Sequence, residues 1–292
     1  MNRFFEGMFS TILRAVKKLA AIFSIAVALA CNTDQSAPHL ARGNVLVNNG
    51  KREEAVAEYR EAAKLAPRNA LARERLADAL YDLGRKPEAL EAYKDALKVD
   101  AGSVTAAVGI ARVLSDQGDL PGARAALGAA LARAPSNIFL LLSRSNLAAR
   151  AGDLDAALAD AEQAARFKSK DVPALYQYGM MLLAKNRPDE AGPVFDRLLE
   201  NAPQSPEGYY GRARVFAARG EGAFAAEALA AAAKHVEPDA RTRLQEQGFK
   251  GEALETAVHE ARDRSLSSMQ NDPAFARWAQ DPGFRRGAEW PR

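Results

Sequence analysis

The sequence predicts an all-α fold built from a run of similar helical hairpins. Aromatic residues make up 7% of the chain, while aliphatic residues, alanine above all, carry most of the 48% hydrophobic fraction. Small aliphatic side chains favour closely packed helices over sheets of bulky β-branched residues. The chain also repeats itself every 34 residues, a period that suits one helix–turn–helix unit. We therefore expect a solenoid of stacked hairpins.

Small residues mark the repeat. A glycine, once replaced by asparagine, lies where the first helix of each unit must end and the chain reverse. Alanine follows five residues later in every unit, and a second small or aliphatic position comes two helical turns after it, on the same face. Between them lies a larger residue in most units. The first alanine series is Ala55, Ala89, Ala123, Ala157, Ala191 and Ala225, and the larger series is Tyr59, Tyr93, Leu127, Ala161, Phe195 and Leu229.

This pattern resembles the tetratricopeptide repeat (TPR) family over residues 36–239, as six units. The resemblance implies a right-handed α–α superhelix, or TPR solenoid, in which the first helices of the units line a concave groove. Asn186 departs from the pattern at a glycine position. Ala101, Ser169 and Glu237 stand where the closing proline is usual. We expect none of these departures to break the fold.

The chain continues beyond the six units. Residues 240–271 predict a degenerate seventh hairpin with a shortened first helix, because Gly248 follows Gly220 by 28 residues instead of 34. Residues 272–292 contain two Asp-Pro steps, together with Phe275, Trp278 and Phe284. They resemble the closing segment of many TPR arrays, and we expect them to cover the last apolar face.

The N-terminus predicts a targeting segment. Residues 1–30 combine a basic stretch with twelve uncharged residues, 19–30, whose helical length of about 18 Å is short of a membrane core of about 30 Å. Cys31 follows directly, and "ALAC" resembles the lipobox of bacterial lipoproteins, which implies a lipid on Cys31 and a tether over residues 31–36. Asn32, by analogy with lipoprotein sorting, implies the periplasmic face of the outer membrane. The alternative is an incidental cysteine after an ordinary signal peptide.

The charge distribution and the absence of catalytic motifs argue against nucleic-acid binding and catalysis. Residues 1–30 carry four of the 40 basic side chains and one of the 37 acidic ones, so the rest of the chain is formally neutral, unlike a nucleic-acid binder. The three histidines are dispersed, the single cysteine cannot form a thiolate cluster, and phosphate-loop and nucleophile-elbow motifs are missing from the sequence. We predict a protein that is not an enzyme and uses no cofactor or metal.

The predicted partner site lies on first helices. In TPR arrays, positions 2, 5, 9 and 12 of these helices point into the groove. In the first three units they are mostly polar and include Asn44, Glu74, Asp78, Tyr81 and Arg112. In the next three they are Phe139, Leu142, Asn146, Tyr176, Met180, Leu183, Tyr210 and Arg214, which predict a surface for another protein or peptide segment. These side chains could instead contact the chain's own C-terminal segment, through Phe284 or Trp290.

The sequence thus predicts a lipid-anchored scaffold of the cell envelope that helps to assemble a protein complex. The layout resembles TPR lipoproteins such as type IV pilus pilotins and Tad pilus assembly factors, so pilus or secretin assembly is the most concrete form of the hypothesis. Two alternatives remain open: a structural spacer or self-associating module with an occluded groove, and an adaptor anchored in the inner membrane by an uncleaved N-terminus. The oligomeric state stays open.

Overall fold

The computed structural model describes residues 35–288, and helices account for nearly all of the regular structure there. Strands do not occur within these residues, which confirms the all-α prediction and its consecutive hairpins. The chain divides into two compact units, Met1–Val113 and Leu114–Arg292. Among residues 35–288, no helix has both the length and the apolar character required to cross a membrane. Residues 1–34, with the predicted signal peptide and Cys31, and residues 289–292, with Trp290, lie outside the described part.

The described part of the first unit consists of two helical hairpins followed by most of a fifth helix. Within each hairpin the two helices pack against each other, and α2 also packs on α3. The predicted tether ends where α1 begins, at Ser36. The helices are α1 (Ser36–Asn48), α2 (Arg52–Leu65), α3 (Ala70–Asp82), α4 (Lys86–Val99) and α5 (Val104–Asp116), the last of which contains the boundary between the units.

The second unit contains the remaining helices. Neighbours in sequence pack on one another from α6 through α13, so that each hairpin covers an apolar face of the one before it. The elements are α6 (Leu120–Leu131), α7 (Ile138–Arg150), α8 (Leu154–Phe167), α9 (Val172–Ala184), α10 (Pro188–Asn201), α11 (Pro206–Arg219), α12 (Gly222–Glu246), α13 (Gly251–Gln270), a 3₁₀ helix (Pro273–Trp278) and α14 (Pro282–Gly287).

The reversals within hairpins use left-handed backbone. Gly152, between α7 and α8, has a φ of 79°, which glycine adopts without the steric cost of a Cβ atom. Asn186 occupies the equivalent place between α9 and α10 with a φ of 56°. Asparagine tolerates this region better than most residues, because its short polar side chain can bond locally. The departure at residue 186 therefore leaves the hairpin intact.

The alanine series forms the centre of the packing. All six members of the first series are fully buried, with 0% exposure. Tyr93 and Phe195, from the larger series, are also fully buried. The Phe195 ring lies against the backbone of Gly179 in α9 and of Gly211 in α11, where added Cβ atoms would overlap it. Small residues on first helices thus make room for rings on second helices.

The predicted boundary between residues 239 and 240 falls inside one helix. Helix α12 runs for 25 residues, through Pro238, and joins the second helix of the sixth unit to the first helix of the next hairpin. Glu237 stands where the closing proline is usual. Pro238, one residue later, has no backbone N–H group to donate to the helix. Val236 and Ala240, both buried, carry the apolar face past this point. Packing on both sides of Pro238 therefore keeps the helix continuous, and the chain reverses only near Gly248, whose φ is 92°.

The C-terminal segment packs on the end of the second unit. Phe275 has 0% and Phe284 5% exposure, and both belong to the apolar cluster built by α11 and α12. Trp278 stacks on Phe284 with ring centroids 5.5 Å apart. Asp272 and Asp281 cap the 3₁₀ helix and α14 by accepting hydrogen bonds from backbone N–H groups. The segment thereby closes the apolar cluster.

Candidate protein-binding site

The polar first-helix positions of the first unit are engaged by neighbouring side chains of the same unit. The hydroxyl of Tyr93 donates to Asp78 Oδ1 at 2.5 Å, and Arg112 Nη2 donates to that hydroxyl at 3.1 Å. The Arg112 guanidinium also covers the Tyr81 ring at 3.8 Å from its centroid. Burial and the bond to Asp78 raise the pKa of Tyr93 above its usual range. These groups hold α3, α4 and α5 together.

In the second unit, α7 and α9 present an apolar surface. Phe139, on the first turn of α7, is 56% exposed. Leu142, Met180 and Leu183 are half-buried, and Asn146 is exposed. We call these five residues the α7–α9 surface. The two helices contact each other, and Gln177 Nε2 in α9 bridges them by donating to Asn146 Oδ1 at 2.9 Å.

Local sequence fixes the direction of both helices. Asn137 caps α7 by accepting a hydrogen bond from the N–H of Leu140, and Asp171 caps α9 through the N–H of Ala174. On the buried side, Ser145 of α7 donates to the Ala157 carbonyl of α8 at 2.8 Å. Leu142, three residues before Ser145, borders this buried side and is half-buried, whereas Phe139 lies further round the helix and is exposed.

Two of the predicted site residues are engaged by the chain itself. The Tyr210 hydroxyl donates to Asp272 Oδ2, and Arg214 Nε lies 3.5 Å from the same oxygen. The Tyr210 ring packs edge-on against Phe275, at 6.3 Å between centroids. Burial and the bond to Asp272 raise the pKa of Tyr210. The C-terminal segment thus covers the α11 part of the predicted groove, through Asp272 and Phe275.

Tyr176 lies between the open and the covered parts. Its ring packs on Phe195 at 6.2 Å between centroids, and burial raises its pKa to about 12, with Arg214 acting in the opposite direction. One turn further along α9, Met180 Sδ is 3.9 Å from Arg214 Nη1. The eight predicted residues therefore separate into the five of the α7–α9 surface, the covered pair Tyr210 and Arg214, and Tyr176 at their junction.

A pocket of about 300 Å³ opens beside Tyr176. Its lining comes from four helices: Tyr176 of α9, Pro206, Glu207 and Tyr210 of α11, Val236 and Arg243 of α12, and Arg264, Ser265, Ser268 and Met269 of α13. Sequence reasoning missed the α12 and α13 residues, because the repeat pattern assigns groove positions only to first helices. Among residues 35–288, no group of three or more His, Cys, Asp or Glu side chains is placed to hold a metal ion.

Comparison with known proteins identifies the repeat. Two models described as tetratricopeptide repeats match the chain, one over residues 40–104, 142–206 and 176–241 and the other over residues 87–143. Curated protein sequences gave no match.

Solved structures show the same fold. A tetratricopeptide repeat protein from Parabacteroides merdae is similar with a TM-score of 0.56 and 16% identity, over 87% of this chain and 97% of that one. PilF of Pseudomonas aeruginosa is similar with a TM-score of 0.55 and 17% identity, over 66% of this chain and 88% of its own. YrrB, a TPR protein with an unusual peptide-binding site, has a TM-score of 0.48 and 22% identity, over 65% of this chain and 98% of its own. At these identities the likeness concerns the fold alone. Since the family models match more than half of its residues, the chain belongs to the tetratricopeptide repeat family.

Proposed function

We propose that this protein is a non-catalytic scaffold that holds a segment of a partner protein on the α7–α9 surface. The TPR fold supports a protein-interaction role. The observation that carries the proposal is the exposure of Phe139 on α7, which together with the adjacent helix α9 also carries three half-buried apolar side chains. Apolar surface that the chain leaves uncovered in this way is typical of interaction sites, where buried aromatic anchors supply much of the affinity.

The partner recognised by this surface presents apolar side chains. Leu142, Met180 and Leu183 offer hydrocarbon and thioether contacts, and Met180 adapts its shape to different partners. Asn146 and Gln177 add a polar site to this surface. Their amides are hydrogen-bonded to each other and still have free donor and acceptor groups for a partner. An extended or helical segment with two or three apolar residues fits this chemistry.

A photo-crosslinking amino acid at position 139 tests the proposal in the native host. We expect irradiation to capture one discrete protein, and we expect Leu142→Asp in the same chain to abolish the capture, because a buried carboxylate without a partner is costly. A crosslinker at Ala159, an exposed position on the second helix α8, is the matched control. Equal capture from positions 139 and 159, or capture unaffected by Leu142→Asp, contradicts the proposal.

We further propose that the scaffold is anchored in the bacterial envelope, on the periplasmic face of the outer membrane, through a lipid on Cys31. The support is the basic stretch, the uncharged residues 19–30 and the cysteine that follows them. Assembly of a type IV or Tad pilus, or of a related secretin, is the most concrete form of this role, and its support is the resemblance in layout. The fold that the chain shares with PilF does not by itself favour a role in pilus assembly over other envelope roles.

Metabolic labelling with a radioactive fatty acid tests the anchor. We expect the wild-type chain to be labelled and membrane-bound, and Cys31→Ala to be unlabelled. A Cys31→Ala chain that stays equally membrane-bound and uncleaved favours the inner-membrane adaptor instead. A wild-type chain that is cleaved but unlabelled contradicts lipidation and favours an ordinary signal peptide.

A specific observation also favours the occluded-groove alternative over part of the surface. The Asp272 carboxylate contacts both Tyr210 and Arg214, so a partner can reach these side chains only if the contacts with Asp272 break. Asp272→Ala removes both contacts, together with the N-cap of the 3₁₀ helix that carries Phe275. If the groove is self-occluded, a crosslinker at position 210 captures a partner only in the Asp272→Ala chain. If α11 is permanently capped, position 210 captures nothing in either chain, while position 139 is unaffected.

A further inference from the structure

The pocket beside Tyr176 is lined by both apolar and polar side chains. Tyr176, Val236 and Met269 supply hydrocarbon and aromatic surface, while α13 supplies Arg264 and Ser268. A volume of about 300 Å³ is at the lower end of the range for small-molecule sites and suits one or two amino-acid side chains. Its position next to the α7–α9 surface makes it accessible to the same partner segment, because Tyr176 precedes Met180 by one helical turn.

The pocket is rich in hydrogen-bond donors that the described chain does not use. Within residues 35–288, the hydroxyls of Tyr176, Ser265 and Ser268 make no hydrogen bond to another group. Arg264 donates from Nε to the Glu260 carbonyl at 3.2 Å, which leaves its terminal N–H groups for a ligand. A guanidinium flanked by hydroxyl groups is the arrangement that recognises a carboxylate.

The other charges around the pocket are already balanced or oppose a carboxylate. Arg243 Nη2 lies 2.8 Å from Asp239 Oδ2, so its charge is compensated. Glu207 of α11 accepts a hydrogen bond from Ser205 at 2.8 Å and repels a second carboxylate near it. Arg264 is the one pocket cation without a carboxylate within ion-pair distance among the described residues. A ligand carboxylate is therefore directed to the α13 side.

From this arrangement we propose that the pocket receives an acidic side chain of the partner segment. The carboxylate bonds to Arg264 and to the hydroxyls of Ser265 and Ser268, and the aliphatic part of the side chain packs on Tyr176 and Met269. The inference rests on the proposed function, since it assigns a second contact to the same bound segment. The proposed partner segment therefore has apolar residues that bind the α7–α9 surface and, a few residues away, an aspartate or glutamate that enters the pocket.

Peptide titration of the full chain in detergent micelles, with ¹³C-labelled methionine methyl groups, tests the pocket directly. The probe is acetyl-Leu-Glu-amide, and the matched probes are acetyl-Leu-Gln-amide and acetyl-Leu-Lys-amide. We expect the glutamate peptide to shift the Met269 methyl resonance and to bind about tenfold more tightly than the glutamine peptide, because charge-assisted bonds are about twice as strong as neutral ones. The lysine peptide should bind most weakly.

Variants connect this preference to the residues. Arg264→Gln should abolish the tenfold preference, and Arg197→Gln, at an exposed position on α10, should leave it unchanged. If Arg264→Gln fails to fold, Ser268→Asp at an exposed position of α13 replaces it and should weaken the glutamate peptide selectively.

Three results overturn the inference: an unshifted Met269 resonance, equal binding of the glutamate and glutamine peptides, or preference for lysine, which would assign the pocket to Glu207. Crosslinking at position 139 separates this failure from that of the scaffold. If position 139 captures a partner but the glutamate and glutamine peptides bind equally, only the acidic contact is refuted. If position 139 captures no partner, the proposed function is refuted.

Discussion

Replacing Gly179 by alanine tests the packing that joins the hairpins of the second unit. Gly179 lies in the interior of α9, and an added Cβ atom would lie 2.5 Å from Cζ of Phe195 and 2.8 Å from its Cε1. Carbon atoms in proteins pack at about 3.5 to 4.0 Å. The Phe195 ring cannot retreat, because Gly211 of α11 holds it closely on the other side. The variant must therefore displace the ring or separate the helices.

The expected effect is the difference between two opposing terms. Overpacking of a close-packed interior costs about 1 to 3 kcal/mol. Alanine gains about 0.5 to 1 kcal/mol over glycine within a helix, because it restricts the unfolded chain. We expect Gly179→Ala to destabilise the protein by about 1 to 2 kcal/mol. Gly128→Ala is the matched control, since its added Cβ atom meets only the end of the Arg144 side chain at 3.7 Å, and it should stabilise the protein by the helix term alone.

Urea unfolding followed by circular dichroism measures both free energies, and amide hydrogen exchange locates the change. Protection in α9, α10 and α11 should fall in Gly179→Ala and not in Gly128→Ala. The double variant with Phe195→Leu provides a further check, because alanine at position 179 should no longer destabilise once the ring is gone. Stabilisation by both alanines, or an unchanged cost of Gly179→Ala in the Phe195→Leu background, would refute this account of the packing.

Three further predictions address other parts of the structure. Ala157→Leu, at a fully buried position, should destabilise by about 1 to 3 kcal/mol, whereas Ala159→Leu, exposed on the same helix, should be near neutral in urea unfolding. Phe275→Ala should cost about 3 to 5 kcal/mol by opening the C-terminal cluster, with Phe249→Ala, 41% exposed, as the mild control in the same assay. Burial raises the pKa of Asp239, so the folded state binds this proton more tightly than the unfolded state does. The stability of the wild type relative to Asp239→Asn should therefore increase as the pH falls below neutrality, and an opposite slope in unfolding experiments from about pH 7 to about pH 4.5 would contradict the assignment.

The repeat pattern was enough to predict the all-α fold and its hairpins. Alanine at a fixed position in six successive units has a local physical cause, because each unit meets its neighbour through the same close contact. Asn186 illustrates the same principle, since the turn requires a left-handed residue and asparagine can supply it. The continuous helix α12 was not predicted. Pro238 favours a break locally, and the burial of Val236 and Ala240 by distant parts of the chain overrides that preference.

The candidate site was only partly predictable. Repeat positions pointed to first-helix side chains that are mostly polar in the first three units and more apolar in the following ones.

Which of these side chains remain accessible depends on contacts between residues far apart in sequence. Tyr210 and Asp272 are separated by 62 residues, and no periodicity relates them. The pocket of Tyr176 and Arg264 likewise forms only when α13 folds beside α9 and α11. Sequence by itself determined the repeating unit, because short-range packing recurs at a fixed interval. Tertiary structure alone decided which surface stays open, because the chain's non-repeating end selects the part of the face that it covers.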